Sequence, residues 1–359
     1  MRVRVIYNGK YRTAQKMNHP PTAAVRSTIL TFVVLVACFA FAVAADQGVV
    51  LVGAGSSVPL PLFSKWADIY NQNNANVQFR YLSMGNAEGL NQIARGTSDF
   101  GAGEIPLSDD QRQAGDLIEV PAVLIGIVPI YNLPGVPQLK LSGDVLADMY
   151  LGLVKNWNDP AIARLNPGVH LPNIPIRVIY RPGGKGTNYV FTEYLGKVSA
   201  RFRDRIARSA SPKWPVGESA ERSADMAEKV RTTPGTVGYV ELQYADDNNI
   251  AHASVLNASG KFVKATANSI SAACTAVEAP TWNKLAASLT NAPGADSYPI
   301  VSFSWLYLRT KAPDRRRTNA LVGLLDWAYG PGQAVALQEG YSELPLPLLQ
   351  KVRAKIKSL

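Results

Sequence analysis

Short apolar runs alternate with amphipathic stretches along most of the chain, and this alternation predicts an α/β fold. The first unit is a strand at Val49–Val52, followed by a helix on which Phe63, Trp66, Ala67 and Tyr70 share one face. Further strands are predicted over 77–82, 99–103, 176–180 and 236–239, and helices over 89–95, 141–150, 187–198, 321–329 and 347–357.

Two longer apolar runs, 120–132 and 298–308, are predicted to be strands that pass between two lobes. With 359 residues the chain is too long for one ordinary core. We therefore expect a first lobe of residues 46–127 plus 300–359 and a second lobe of residues 128–299. Two lobes joined by two hinge crossings can close on a ligand that lies between them.

Residues 1–45 have the pattern of a secretory signal peptide, with a basic segment up to Arg26, an apolar stretch and small residues before Asp46. A membrane anchor would need about 20 apolar residues, and this run is shorter. A lipoprotein signal is the stronger alternative, because residues 35–38 end in Cys38, which would carry the lipid. Ordinary cleavage is favoured, since the residues after Cys38 are apolar where a polar tether is usual. Either cleavage predicts a periplasmic protein.

The formal charge of +10 comes partly from the leader, which holds six basic residues and no acidic one. In the rest of the chain 31 basic residues face 27 acidic residues. This small excess does not argue for nucleic acid and is compatible with an anionic ligand. Beyond the leader one thiol, Cys274, and two imidazoles, His170 and His252, remain without metal-ligand spacing. We expect no metal and no cofactor.

Three loops place small residues and hydrogen-bond donors between a strand and a helix. The loop over 53–59 contains Ser57, a candidate N-cap, with Pro59 suited to the first helical turn. The loop over 85–89 contains Asn86, which could cap its helix or donate its amide to an anion. Free N–H groups at helix starts attract anions, so both loops are candidate contacts for a negatively charged ligand.

The third loop, residues 181–188, combines Arg181 and Lys185 with three glycines and with Thr187 at a helix start. Arginine offers a planar fork to tetrahedral oxyanions, and lysine adds a point charge. Glycines expose N–H groups that form an anion nest. A P-loop requires the lysine to follow a glycine and precede Ser or Thr, whereas here Lys185 precedes Gly186. The loop is therefore predicted to bind an anion without being a nucleotide site.

Glu104, in the segment 99–107, is an unexpected acid among these loops. A carboxylate can accept the proton of hydrogen phosphate, and it would repel sulfate, which has no such proton. The alternative is structural, with Glu104 paired to Arg181 or Lys185.

These segments resemble the periplasmic phosphate-binding proteins of bacterial phosphate ABC transporters. The resemblance spans most of 50–355 and is carried by GAGSS at 53–57, NWNDPAI at 156–162, GKGT at 184–187 and PGTVGYVE at 234–241. It implies a two-lobed type II periplasmic-binding-protein fold. It also implies a dry cleft in which backbone N–H groups, hydroxyls, one arginine and one carboxylate hold phosphate.

By motif, the resemblance assigns ligand contacts to Ser57, Val58, Arg181, Gly186 and Thr187. Four positions depart from the family pattern. Asn86 and Lys185 replace serines, Glu104 replaces an aspartate, and Gly183 replaces the aspartate that normally accompanies the arginine. The loss of an acid and the gain of a lysine predict a loop that is more positive by two charges.

The favoured interpretation is a monomeric, non-enzymatic binding protein that captures inorganic phosphate and delivers it to an ABC permease. One alternative is a secreted or surface protein that binds arsenate or an organophosphate without transport. Another is a secreted phosphatase, which is disfavoured because Ser57 and Thr187 have no histidine in their motifs to act as a base.

Overall fold

Strands and helices alternate through residues 48–114, 116–277, 288–311 and 314–359, which are the residues that the computed structural model describes. The predicted leader, including Cys38, lies outside these ranges. The strands are β1 (Val49–Gly55), β2 (Val77–Ser83), β3 (Phe100–Gly103), β4 (Leu117–Tyr131), β5 (Lys140–Leu141), β6 (Arg177–Tyr180), β7 (Glu218–Ser219), β8 (Thr236–Glu241), β9 (Ser254–Leu256), β10 (Phe262–Val263) and β11 (Val301–Arg309). The helices are α1 (Leu60–Asn73), α2 (Asn86–Arg95), α3 (Asp109–Gln113), α4 (Gly143–Tyr150), α5 (Pro160–Ala163), α6 (Gly186–Val198), α7 (Ala200–Arg205), α8 (Ser223–Thr232), α9 (Leu242–Asp247), α10 (Ala267–Thr275), α11 (Arg315–Ala328), α12 (Pro331–Gln338) and α13 (Leu346–Ile356).

Eight strands form one sheet in the order β2-β1-β3-β11-β4-β8-β6-β7. At one end β1 pairs in parallel with β2 and β3, and at the other β6 pairs in parallel with β7 and β8. We call these sets the β1–β3 group and the β6–β8 group. The strands β11 and β4 join the two groups by antiparallel pairing. A separate small sheet has the order β10-β9-β5 and was not predicted.

Strand β4 takes part in both halves of the large sheet. Its residues 117–126 pair with β11, and its residues 127–131 pair with β8. From residue 119 onward every residue of β4 is buried, which explains why the sequence there is continuously apolar rather than alternating. The strand predicted over 120–132 is therefore present, with slightly different ends.

Each half of the sheet has its own aromatic core. Beside the β1–β3 group, Phe63 stacks on Trp66 at 5.2 Å between ring centroids and meets Phe100 edge-on at 6.1 Å. Beside the β6–β8 group, Phe191 stacks on Tyr239 at 4.2 Å. Buried rings of this size dominate the apolar area removed from water, so each strand group is held by its own set of helices.

Several predicted boundaries were wrong by a few residues because local capping was not recognised. The helix expected over 141–150 begins at Gly143, since the hydroxyl of Ser142 accepts the N–H of Val145 and Leu141 belongs to β5. The helix expected from 321 begins at Arg315, where the Asp314 carboxylate caps the first turn. None of the helices in the described part of the chain combines the length and apolar character needed to span a membrane.

Candidate anion-binding site

Both strand groups end at one cavity of about 210 Å³. The loops after β1, β2 and β6 contribute to its walls, so the site lies at the carboxyl ends of two sets of parallel strands. Ligands of α/β proteins commonly bind at such ends. Seven of the eight predicted site residues line the cavity: Ser57, Val58, Asn86, Arg181, Lys185, Gly186 and Thr187.

The eighth predicted residue, Glu104, lies directly behind the cavity wall. Its side chain is completely buried and accepts a hydrogen bond of 2.7 Å from the Ser56 hydroxyl. It also lies against the backbone of Gly186 from the opposite strand group, because a methyl group on Gly186 would come within 2.0 Å of Glu104 Oε2. Glu104 forms no ion pair with Arg181 or Lys185 in the described structure, so the purely structural interpretation is not supported.

The environment of Glu104 favours its protonated form. Burial raises the pKa of Glu104 to about 8, and the negative charge of Glu241 adds to this rise. The hydroxyls of Ser56 and Ser304 and the charge of Arg181 oppose it. A carboxyl group with such a raised pKa can exchange a proton with a bound oxyanion near neutral pH.

In the loop after β1, the hydroxyl that contacts Glu104 belongs to Ser56, whereas the sequence had pointed to Ser57. The N-cap of α1 is Pro59, and no side chain caps this helix, so the expected capping role of Ser57 was wrong. The hydroxyl of Ser56 accepts the N–H of Val58 at 3.2 Å while it donates to Glu104. Ser57 lines the cavity without a capping role, which leaves its hydroxyl available to a ligand.

Asn86 does not cap its helix, because Gly85 is the N-cap of α2. Its Oδ1 accepts the N–H groups of Glu104 at 2.8 Å and Ile105 at 3.1 Å. These two donors fix which amide atom is the oxygen. The Nδ2 group is buried without a hydrogen-bond partner among the described residues, and it is therefore a free donor at the cavity.

Arg181 is held in place by neutral groups. Its guanidinium is buried, Nη1 donates to the Ser223 hydroxyl at 2.7 Å, and Nη2 donates to the carbonyl oxygen of Glu221 at 2.9 Å. The Nε donor has no partner in the described part of the chain. The guanidinium is thus positioned before any ligand arrives, with hydrogen-bonding capacity left over.

Helix α6 begins at the cavity with Gly186 and Thr187. Lys185 is its N-cap and no side chain caps it, so its first N–H groups lack a side-chain acceptor. Thr187 is buried and its Oγ1 has no partner among the described residues. A helix start with an additional free hydroxyl is a suitable contact for an anion.

Comparison with known proteins agrees with this geometry. Residues 42–331 match the model of the PBP superfamily domain. The phosphate-binding protein PstS of Pasteurella multocida is 38% identical over 314 residues, which cover 87% of this chain and 91% of that protein. The corresponding protein of Haemophilus influenzae is 36% identical over 313 residues, with 86% and 92% covered. The chain belongs to the PstS family of phosphate-binding proteins.

Solved structures of similar fold confirm the predicted fold class, a two-lobed type II periplasmic-binding-protein fold. A phosphate ABC transporter substrate-binding protein from Clostridium perfringens, solved with bound phosphate, matches with a TM-score of 0.61 at 19% identity. The match covers 82% of this chain and 100% of that one. A phosphate-binding protein from Stenotrophomonas maltophilia matches with a TM-score of 0.63 at 16% identity, over 86% of this chain and 94% of that one.

Lys185, where the family resemblance predicts a serine, does not add a free positive charge to the cleft. Its ammonium group forms an ion pair with the Glu221 carboxylate, and both residues line the cavity. The expectation that the loop would be more positive by two charges was therefore wrong, because the charge of Lys185 is neutralised by Glu221. It considered residues 181–188 alone, whereas the partner of Lys185 lies in a segment 36 residues further along the chain.

Sequence reasoning missed the contribution of the segment after β7 and the end of β8. Glu221 and Arg222 line the cavity, Ser223 holds Arg181, and Glu241 is buried nearby. One signal was present, since Glu241 ends the apolar motif at 234–241 with an acid. Its location became evident only from the parallel pairing of β6 with β8.

Proposed function

We propose that this protein captures inorganic phosphate in the cleft between its two strand groups and delivers it to an ABC permease. The observation that carries the proposal is a set of three buried donors that have no partner among the residues the structure describes: Asn86 Nδ2, Arg181 Nε and Thr187 Oγ1. All three residues line one cavity. Buried polar groups are almost always satisfied, so three such donors around one space call for a ligand that accepts hydrogen bonds.

The charges of the site favour phosphate among acceptor ligands. Arg181 provides a fixed positive charge with a planar array of donors, which suits a tetrahedral oxyanion. Glu104 provides a carboxyl group instead of a positive charge. Because this group lies close to the ligand, it can share a proton with it. Above its pKa of about 8 the ionised Glu104 can accept the proton of hydrogen phosphate, and it repels sulfate, which has no proton to share.

The lobes proposed for closure are residues 46–127 plus 300–359 and residues 128–299. The change of partner in β4, from β11 up to Gly126 to β8 from Ile127, supports the first boundary. The N–H of Ile127 donates to the carbonyl of Ile300 at 2.9 Å, which puts both proposed crossings side by side. Closure about these crossings would exclude water and strengthen each charge-assisted hydrogen bond.

The proposed role is that of a monomeric binding protein exported to the periplasm, and not that of an enzyme. Among the described residues neither His170 nor His252 lines the cavity, so the hydroxyls there have no imidazole base. A phosphatase assay with a generic phosphate monoester should show no turnover. Release of phosphate from the monoester would contradict the proposal.

Calorimetric titration with phosphate, arsenate and sulfate tests the ligand. We expect phosphate to bind with a 1:1 stoichiometry, and Arg181→Ala to abolish this binding. Arg177→Ala is the matched control, because Arg177 is an exposed arginine on β6, the strand that ends just before Arg181, and it lies outside the cavity. Unchanged phosphate affinity in Arg181→Ala would show that the ligand binds elsewhere.

A further inference from the structure

Within the described ranges of the chain, the charge of Arg181 has no direct counter-ion. The guanidinium is only 2% exposed, and its two hydrogen bonds go to a hydroxyl of Ser223 and a carbonyl of Glu221, which are both neutral. The loop over 181–187 contains no acidic residue. A buried charge without compensation is strongly destabilising, so some other group must balance it.

Glu241 is in the position to do so. Strands β6 and β8 are parallel, with Arg177 opposite Thr236 and Val178 opposite Val237. The same register, continued to the strand ends, brings Arg181 beside Val240 and next to Glu241. Glu241 is completely buried, and neither of its carboxylate oxygens has a hydrogen-bond partner among the described residues.

The electrostatic environment of Glu241 supports a charge interaction with Arg181 that does not require direct contact. Burial raises the pKa of Glu241, and the positive charge of Arg181 is the main effect that opposes the rise. The N–H of Glu241 itself and the hydroxyl of Ser223 also oppose it. The other titratable groups that interact with Glu241 are Glu104, Tyr239, Tyr244 and Tyr341. Burial keeps the three tyrosines neutral, which leaves Arg181 as the cation in this group.

We propose that Glu241 is the counter-charge of Arg181 and sets the net charge of the binding cleft. This inference rests on the proposed function. Because the guanidinium is positioned by Ser223 and by the carbonyl of Glu221, Glu241 is not needed to hold it in place. Its contribution is a negative charge that lowers the attraction of the cleft for anions in general. Binding then depends on the arrangement of hydrogen-bond donors more than on ligand charge.

The test is Glu241→Gln, which keeps the shape of the side chain and removes its charge. Phosphate and sulfate are titrated at pH 6, about two units below the pKa of Glu104 in the wild type. Because the charge of Glu241 contributes to that raised pKa, the comparison is repeated in the Glu104→Gln background, where position 104 is neutral in both proteins. We expect both anions to bind at least ~10-fold more tightly than to the wild type, with a steeper dependence on salt. A role confined to stability would lower Tm and leave both affinities unchanged or weaker, and that result would overturn the inference.

Two control variants separate charge from stability. Glu119→Gln removes another buried carboxylate, one that accepts the N–H of Leu107 and pairs with Arg112 outside the cavity. It should lower Tm without tightening anion binding. Gly183→Asp in the Glu241→Gln background returns a carboxylate to the Arg181 loop and should bring the affinities back toward the wild type. Gly183→Asn is its neutral match and should not.

Gly183 is a suitable position because it is exposed and an added Cβ would contact only the Ser211 side chain closely. If Glu241→Gln alone does not fold, the double variants provide the test: Gly183→Asp/Glu241→Gln should fold and bind both anions with nearly wild-type affinity, because a carboxylate again faces Arg181, whereas Gly183→Asn/Glu241→Gln should not. Equal effects of Asp and Asn at 183 would overturn the inference. If the wild-type protein binds none of the oxyanions, the proposed function fails instead, independently of Glu241.

Discussion

The carboxylate of Glu104 occupies the space that a side chain at Gly186 would need. These residues belong to opposite strand groups, and a methyl group at Gly186 would lie 2.0 Å from Oε2 and 2.8 Å from Cβ of Glu104. The contact connects a residue of the first proposed lobe with the helix start of the second. It also explains why the helix that carries Thr187 begins with glycine.

Gly186→Ala should therefore weaken phosphate binding at least ~10-fold, because the added methyl group forces Glu104 or the helix start out of position. The shorter aspartate at position 104 would leave more room. We expect Glu104→Asp to restore part of the affinity in the Gly186→Ala background. Calorimetric titration of the wild type, both single variants and the double variant measures this coupling. Additive effects of the two substitutions would contradict the contact.

The protonation of Glu104 should make the exclusion of sulfate depend on pH. The pKa of Glu104 is about 8, so below that pH the group carries a proton and does not repel a dianion. Above it, the carboxylate is ionised and repels sulfate, whereas hydrogen phosphate still supplies a proton. The ratio of phosphate to sulfate affinity should rise by up to ~10-fold per pH unit above pH 8. Above pH 8, where phosphate is already a dianion, Glu104→Gln should show a ratio that does not change with pH, and a flat ratio in the wild type over that range would contradict this role.

Thr187 and Thr192 allow a matched comparison within α6. Both are buried, but the Thr192 hydroxyl donates to the Asn188 carbonyl at 2.7 Å and accepts the N–H of Ser209, whereas Thr187 Oγ1 has no partner among the described residues. Thr187→Val should keep Tm and lose ~10-fold or more in phosphate affinity. Thr192→Val should lower Tm by several degrees and keep the affinity, because it leaves the Ser209 amide unsatisfied. The opposite pattern in thermal melts and titrations would exclude Thr187 as a ligand contact.

The fold and most of the site could be predicted because they depend on local patterns. The apolar periodicity identified the strands that end at the cavity, and the small residues at 53–59 and 181–188 marked the loops where N–H groups are free. Family motifs then pointed to Arg181 and Thr187, and both residues line the cavity. These features are encoded within a few neighbouring residues.

The errors concern contacts between segments that are distant in sequence. Whether Ser56 or Ser57 turns toward Glu104 depends on the backbone after β1, which no pattern specifies. Whether the charge of Lys185 is neutralised depends on Glu221. Which carboxylate balances the charge of Arg181 depends on the register between β6 and β8. Such pairings arise only when the chain is folded, so composition and motif spacing do not contain them.

The ion pair of Lys185 with Glu221 gives a final prediction about the charge of the cavity. Loop composition alone predicts that Lys185 adds positive charge, whereas the ion pair predicts that Glu221 cancels it. Because the two charges cancel at the cavity, the double variant Lys185→Ser/Glu221→Gln should change phosphate affinity by less than ~3-fold, as expected for a partly exposed pair. Glu221→Gln should instead tighten binding and increase its salt dependence, since it leaves the ammonium group unpaired beside the ligand. The carbonyl that holds Arg181 is unaffected by this substitution. A large loss of affinity in the double variant, measured by calorimetry at low and high salt, would show that Lys185 leaves Glu221 to bind the ligand directly.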